Sequence, residues 1–184
     1  MILPLGLLYE WLPWPRGKSQ WTRFLIALTL AAFVIDLVRL HHGRARRWFL
    51  AVFRELIRRH ERSQLLGSTY LLLAALLAVE IFPRPIAAAA VGFTVLGDGV
   101  AALVGRAWGR PRLFGKSLEG TGAGLAACLA WAAFLETTGF VDWRVALTGA
   151  LVASLVELLP IPLDDNLGVT LFSGYAMKLL TGAS

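Results

Sequence analysis

Long runs of apolar residues, each close to the thickness of a bilayer, constrain this chain more than any other feature. A helix needs about 20 residues to cross the hydrocarbon core, and six runs of about 17–21 residues meet or approach that length. They lie at 24–40, 65–82, 85–105, 120–139, 144–162 and 165–182. Membrane strands are excluded because they alternate in polarity and these runs do not. The pattern predicts an all-α, polytopic transmembrane helical bundle with about six spans.

The composition supports a single integral membrane domain covering residues 1–184. Hydrophobic residues make up 57% of the chain and charged residues 16%, whereas soluble chains carry about 25% charged residues. The net charge of +6 could indicate a nucleic-acid partner. That class is excluded because the basic residues lie between the apolar runs and no nucleic-acid motif accompanies them.

Two segments outside the runs are predicted to lie at the membrane surface. Residues 1–15 are apolar, but prolines interrupt them and they lack the basic start of a signal peptide, so residues 1–23 are expected to form an interfacial or re-entrant segment. Residues 46–62 place apolar side chains on one helical face and mainly basic ones on the other. This is typical of a basic amphipathic helix in the interface plane. It could anchor the loop on anionic lipid, line the entrance for a lipid substrate, or do both.

The distribution of basic residues predicts an orientation. Eight arginines lie between Arg39, at the end of the first run, and Arg62, and the connection 106–119 carries four basic residues. The alternate connections carry only Arg84 and Arg144. The positive-inside rule therefore places the two basic loops, and with them the connection after the fifth run, in the cytoplasm. A plasma or inner membrane is expected.

Acidic residues occur where membrane helices rarely carry them. An ionisable group inside a span costs about 2.5–3.5 kcal/mol, so each such acid is a functional hypothesis. In the predicted orientation five acids fall at the cytoplasmic ends of runs: Asp36, Asp98, Glu157, Asp164 and Asp165. Carboxylates at one depth beside Arg and Lys suit a Mg²⁺–polyphosphate site. Asp36 could instead simply pair with Arg39, three residues later.

The connection 106–119 is predicted to be a cytoplasmic nucleotide-binding loop. Lys116 and Ser117 stand at the mouth of the fourth run and are followed by Gly120 and Thr121. A lysine, two hydroxyls and backbone amides near a helix N-terminus form a natural anion site. Gly97 and Gly99 flank Asp98 and would let a ligand or another backbone come close. The spacing of a Walker A loop is absent.

These residues resemble the CTP-dependent polyprenol kinases, a family that includes dolichol, phytol and CTP-dependent diacylglycerol kinases. The family pattern is Asp-x-x-Ala-x-x-x-Gly-x-x-x-Gly, a basic loop, and Lys-Lys-[Ser/Thr]-x-Glu-Gly. The similar residues here are Asp98, Ala101, Gly105, Gly109, Lys116, Ser117, Glu119 and Gly120, with Gly115 in place of the first Lys. A second block is similar to Glu157 followed by Asp164, Asp165, Asn166 and Leu167, and a third to Glu61 before residues 66–70.

The resemblance implies a kinase that moves the terminal phosphoryl group of CTP to a membrane isoprenoid alcohol or diacylglycerol, with Mg²⁺ as cofactor. Metal binding is assigned to Asp98, Glu157 and Asp165. Lys116 is expected to neutralise a phosphate during catalysis. Among the boundary acids not given to the metal, Asp164 is predicted to orient the hydroxyl, with Glu61 as the second choice. The residues expected to bind CTP are Asp98, Gly105, Arg106, Gly109, Lys116, Ser117, Glu119, Gly120 and Asn166.

Two other functions stay open. The first is a CTP enzyme that transfers the nucleotidyl group and releases pyrophosphate, as phosphatidate cytidylyltransferases do, although the long C-terminal signature of that enzyme is not found. The second is an ion-coupled transporter in which Asp36, Asp98 and Glu157 form a relay. The acceptor alcohol and the oligomeric state are left open by the sequence.

Overall fold

The computed structural model describes residues 17–53, 63–110, 112–113 and 115–182. These residues form seven helices: α1 Gly17–His41, α2 Gly43–Phe53, α3 Gly67–Ile81, α4 Arg84–Ala107, α5 Leu118–Thr137, α6 Trp143–Leu158 and α7 Asp165–Thr181. Two short antiparallel strands, β1 Arg112–Leu113 and β2 Lys116–Ser117, lie between α4 and α5. The prediction of a helical chain is confirmed, with this small ribbon as a departure from it.

Each of the six apolar runs coincides with a helix, but the helices differ in length. In the described part of the chain, three are long and apolar enough to cross a membrane: α1 from Lys18, α4 and α5. The other three contain 15, 16 and 17 residues, which is short of the ~20 needed to span the hydrocarbon core without adjustment. The chain therefore has the character of a helical membrane protein, and crossing by α3, α6 and α7 stays a prediction.

Two helix ends differ from the predicted boundaries for identifiable reasons. The run 144–162 is helical only to Leu158, because a residue that precedes a proline disfavours the α conformation. Leu159, which stands before Pro160, is extended at φ −76° and ψ 142°. Helix α1 begins at Gly17, inside the predicted surface segment 1–23, and it buries Trp21 against the core. Residues 1–16 lie outside the described residues.

Helix α4 is the central element of the bundle. Its first half, from Ile86 to Thr94, is buried on every side by α3, α5, α6 and α7. The run of four alanines at 87–90 allows the neighbouring backbones to come close, as small residues do in membrane bundles. Glycines serve the same purpose against α5: a Cβ built at Gly97 would lie 2.8 Å from Cys128 Sγ. This packing fixes α4 and α5 relative to each other.

A buried ion pair joins α1 to α3. Arg39 Nη2 lies 2.7 Å from Asp36 Oδ1, and both side chains are at most 1% exposed. The second carboxylate oxygen of Asp36 accepts hydrogen bonds from Leu66 N at 2.9 Å and from the Thr69 hydroxyl at 2.7 Å, which caps the N-terminus of α3. Arg39 also donates to the Gln64 carbonyl at 2.6 Å. The interpretation of Asp36 and Arg39 as a simple pair is thereby confirmed, and Asp36 has a structural role.

The predicted surface helix 46–62 is described in part. Helix α2 covers Gly43–Phe53, and residues 54–62, which include Glu61, lie outside the described residues. Trp48 is 67% exposed on this helix. Phe49 faces the other way, with its ring centroid 5.6 Å from the guanidinium carbon of Arg39. A cation–π contact thus attaches α2 to the buried ion pair of α1.

Candidate active site

Contacts at the two ends of the bundle show that the helices run up and down. At one end Lys116, just before α5, reaches Glu157 at the end of α6 and Asp165 at the start of α7. At the other end Lys178 of α7 donates to the Ile81 carbonyl of α3 at 3.4 Å. The C-termini of α4 and α6 therefore meet the N-termini of α3, α5 and α7. Acids that are far apart in the sequence come together there.

A cleft opens at this end of the bundle between α4, the β2–α5 corner, α6 and α7. Its volume is about 590 Å³. Pockets for small ligands typically hold about 300–1,000 Å³, so the cleft can accept a ligand of nucleotide size. It is lined by Asp98, Gly99, Ala101, Ala102, Gly105, Arg106, Gly115, Lys116, Ser117, Gly120, Thr121, Glu157 and Asp165.

Lys116 is the electrostatic centre of the cleft. Its ammonium nitrogen lies 3.0 Å from Asp165 Oδ2 and 3.2 Å from Glu157 Oε1, and it also donates to the Glu157 carbonyl. The three side chains are only 13–34% exposed, so water screens the charges less than it would at an open surface. The lysine therefore offsets the repulsion between two carboxylates that belong to different helices.

The start of α5 is built as an anion site. Ser117 is the N-cap of the helix, and its hydroxyl oxygen accepts a hydrogen bond from Gly120 N at 3.1 Å. Two glycines of the α4 end make room for this cap, since a Cβ at Gly105 would lie 2.7 Å from Ser117 Oγ and one at Gly109 would lie 2.5 Å from it. The spacing of Gly105 and Gly109 thus serves close packing of the loop against α4, and Ser117, Gly120 and Thr121 at the start of α5 line the cleft.

Gly115 is required by the turn between the two strands. Leu113 pairs with Lys116, which leaves two residues in the turn, and Gly115 has a φ of +86°. Glycine is favoured at such angles because it lacks a Cβ. The family that the sequence resembles carries a lysine at position 115. In this chain glycine forms the turn, and the next residue, Lys116, lines the cleft.

Two residues predicted to bind CTP, Arg106 and Glu119, make hydrogen bonds at the two ends of the loop between α4 and α5. Arg106 donates from Nε to the Ala102 carbonyl of its own helix at 3.1 Å, and its exposed side chain lines the cleft. Glu119 accepts a hydrogen bond from Arg110 N at 3.3 Å. Glu119 therefore holds the loop back onto the end of α4, and among the described residues it is not part of the cleft lining.

Asp164 and Asn166 form the cap of α7. Asp164 Oδ1 accepts hydrogen bonds from Asn166 N and from Asn166 Nδ2, both at 2.9 Å. Asn166 Nδ2 also donates to the Gly67 carbonyl at 3.3 Å, which ties α7 to the start of α3. These contacts hold Asp165 in place on the cleft side. The predicted catalytic role of Asp164 stays a prediction beside this capping role.

The cleft thus gathers most of the residues that the sequence singled out. They are Asp98, Gly105, Arg106, Lys116, Ser117, Gly120, Glu157 and Asp165. Gly109, Glu119, Asp164 and Asn166 support its walls, and Glu61 lies outside the described residues. Thr121, the second hydroxyl expected in the anion site, also lines the cleft, whereas Ala102 lines it but was missed. Ala102 stands four residues after Asp98 and so shares its helical face.

The donors in the cleft fit a divalent cation that arrives with phosphates. Asp98, Glu157 and Asp165 all line the cleft. Within the described ranges, however, no group of three or more His, Cys, Asp or Glu side chains is arranged to hold a metal ion, since Lys116 lies between Glu157 and Asp165. Mg²⁺ commonly takes one or two carboxylates and completes its shell with phosphate oxygens and water. The cleft carboxylates therefore suit a cation that is also bound by the oxygens of a polyphosphate.

Comparisons with known proteins support the resemblance to the polyprenol kinases. The chain is 31% identical over 178 residues to a rice protein (Oryza sativa subsp. japonica) named "Probable phytol kinase 2, chloroplastic". The match covers 87% of this chain and 58% of that protein, so the chain spans less than two thirds of the relative's length. No family model matches the chain, and no solved structure matches it. The similarity supports a family of the polyprenol or phytol kinase type without selecting one member.

Proposed function

We propose that this chain is a membrane lipid-alcohol kinase that transfers the terminal phosphoryl group of CTP to a membrane isoprenoid alcohol, such as phytol, or to diacylglycerol. The similarity to a protein named phytol kinase supports the kinase class. The observation that carries the proposal is the position of Lys116, between Glu157 and Asp165 and next to the start of α5. Cations, carboxylates and helix amides together are what phosphoryl transfer requires, because its catalysis is mostly positioning and charge neutralisation.

The phosphates of the nucleotide are proposed to lie between α4 and the start of α5. Ser117 caps the start of α5 by accepting from Gly120 N, and the positive end of the helix dipole there would attract the phosphates. Arg106 and Lys116 supply positive charge on either side. Mg²⁺, held by one or two of the predicted ligands Asp98, Glu157 and Asp165 together with phosphate oxygens and water, would neutralise charge on the transferring group. The nucleotide would arrive from the cytoplasm, where the basic loops are predicted to lie.

The proposed reaction exchanges one phosphorus–oxygen bond for another. The acceptor oxygen attacks the terminal phosphorus, the bond from that phosphorus to the bridging oxygen breaks, and CDP leaves with the bonding electrons. The hydroxyl proton passes to a carboxylate at the membrane boundary. Asp164 is proposed for this role although its Oδ1 already accepts two hydrogen bonds from Asn166.

The purified protein in lipid nanodiscs, supplied with Mg²⁺ and CTP labelled at the γ-phosphate, tests the proposal directly. Phytol, a polyprenol, a shorter isoprenoid alcohol and diacylglycerol are compared as acceptors. We expect label in the lipid phase, CDP as the released product, and a lower rate with ATP than with CTP. The Asp165→Asn variant serves as the inactive control. Release of pyrophosphate would replace the kinase by a nucleotidyl transferase, and the absence of both products would overturn the enzymatic assignment.

A further inference from the structure

One glycine of α4 has no structural reason to be a glycine. Glycines at 97 and 105 in the same helix are required by packing, since a Cβ at either would lie within 2.8 Å of a neighbouring side chain. Gly99 differs. It is exposed, has ordinary helical geometry, and no described atom lies within 4 Å of a Cβ built on it. Glycine in an exposed helix interior is less stable than alanine, and packing does not account for it at this position.

Gly99 lines the cleft at the level of its acids. It follows Asp98 directly and stands seven residues before Arg106, which places it about 10 Å deeper along the helix. Helix α4 is long and apolar enough to cross a membrane. Its first half is enclosed by other helices, whereas Gly99 and Leu103, one turn further on, are exposed, Leu103 by 62%. The surface around Gly99 is therefore apolar, open, and adjacent to a carboxylate.

We infer that Gly99 is the contact surface for the hydrocarbon chain of the acceptor alcohol, next to its hydroxyl group. This inference rests on the proposed function. A membrane alcohol carries an apolar chain and one hydroxyl, which matches an open apolar helix face beside Asp98. The charged phosphates of the donor match the cations Arg106 and Lys116, which line the same cleft. The acceptor enters sideways along α4, and the missing side chain at Gly99 lets it come within reach of the acids.

The chain offers a matched control in Gly122 of α5. Gly122 is also exposed within a helix and also has no described atom within 4 Å of a built Cβ, but among the described residues it does not line the cleft. Alanine at either position should raise the melting temperature slightly, because alanine favours helix over glycine. Only a change at Gly99 should affect binding of the acceptor alcohol.

Steady-state kinetics of Gly99→Leu and Gly122→Leu in nanodiscs test the inference. We expect Gly99→Leu to raise the KM for a long-chain alcohol by about tenfold or more while the KM for CTP stays within about twofold. Gly122→Leu should change neither. An unchanged KM for the alcohol in Gly99→Leu, or a parallel rise in both KM values, would overturn the inference.

A labelling experiment separates this inference from the proposed function, because it needs no phosphoryl transfer. The probe is a phytol analogue that carries a diazirine close to its hydroxyl. We expect it to label α4 in the wild type, in competition with unlabelled phytol, and to lose that label in Gly99→Leu but not in Gly122→Leu. If no alcohol is phosphorylated but this pattern appears, the proposed function fails and the acceptor contact stands. Labelling that avoids α4, or is indifferent to Gly99→Leu, would overturn the contact itself.

Discussion

Lys116 combines two functions in a single side chain. It neutralises Glu157 and Asp165, which approach each other from two helices, and it faces the space proposed for the phosphates. In Lys116→Ala the carboxylates lose their common counter-ion, and the polyphosphate loses a cation. We expect kcat/KM to fall by about 100-fold or more, since charge neutralisation is a main part of phosphoryl transfer.

The matched control for this change is Lys178→Ala. Lys178 is also partly buried, but it donates to the Ile81 carbonyl at the opposite end of the bundle. Turnover of this variant should stay close to that of the wild type. Comparable losses of activity in both lysine variants, measured together with CTP binding, would remove Lys116 from the site.

Asp164 can be tested as a base separately from its role as a cap. Asparagine caps helices about as well as aspartate, whereas alanine does not. In Asp164→Asn we therefore expect the melting temperature to be kept and kcat to fall by about 100-fold, the lower range for loss of a general base. Asp164→Ala should lose both activity and stability. Full activity in the asparagine variant would leave Asp164 as a cap alone.

Asp142 supplies the control for that comparison. It is the N-cap of α6, and its carboxylate accepts from Arg144 N at 2.9 Å at the other end of the bundle. Replacement of Asp142 by Asn and by Ala should reproduce the stability effects seen at Asp164 with no loss of kcat. Any catalytic loss at Asp142 would mean that cap stability, rather than charge, governs turnover.

At the scale of elements, one buried carboxylate, Asp36, links α1 to the start of α3. Removing Asp36 leaves the Arg39 charge buried without its partner, which typically costs about 3–5 kcal/mol. Thr69→Val removes one hydrogen bond to Asp36 and should cost about 1 kcal/mol. Glu80→Gln at the far end, where Lys18 and Glu80 are half-exposed, should change stability little. Unfolding in mild detergent, followed by circular dichroism, ranks the three variants, and equal loss in all three would contradict this role of Asp36.

The apolar runs were sufficient to locate the helices, but local chemistry set their ends. Nothing in the hydropathy of 144–162 marks Leu158 as the last helical residue, although Pro160 does so by its effect on the residue before it. Likewise, an aspartate directly before a helix, such as Asp164 before α7, is an N-cap signal. Its charge alone suggests a base and says nothing of this capping role. The depth of Asp98, Glu157 and Asp165 could be read from the alternation of runs and loops. The position of Lys116 between two of them could not, because it depends on how α5, α6 and α7 pack.

At the scale of the whole molecule, the predicted orientation can be tested at the two ends of α5. Arg110 and Thr138 are both exposed and lie on either side of this candidate span. Single cysteines there can be labelled with a membrane-impermeant maleimide, because native Cys128 is only 2% exposed. We expect Arg110→Cys to react from the cytoplasmic side and Thr138→Cys from the opposite side. Labelling of both from one side would show that α5 does not cross.

The ion pair of α1 also bears on how the chain enters a bilayer as it is made. Asp36 and Arg39 are one helical turn apart, so α1 can leave the translocon with the two charges already neutralised by each other. One oxygen of Asp36 has no use within α1, since its partners are Leu66 and Thr69. They leave the ribosome later, with the start of α3. We therefore expect α1 to insert before the second carboxylate oxygen of Asp36 has its hydrogen-bond donors. Those donors arrive with the start of α3, so the pairing of α1 with α3 follows the order in which the chain is made.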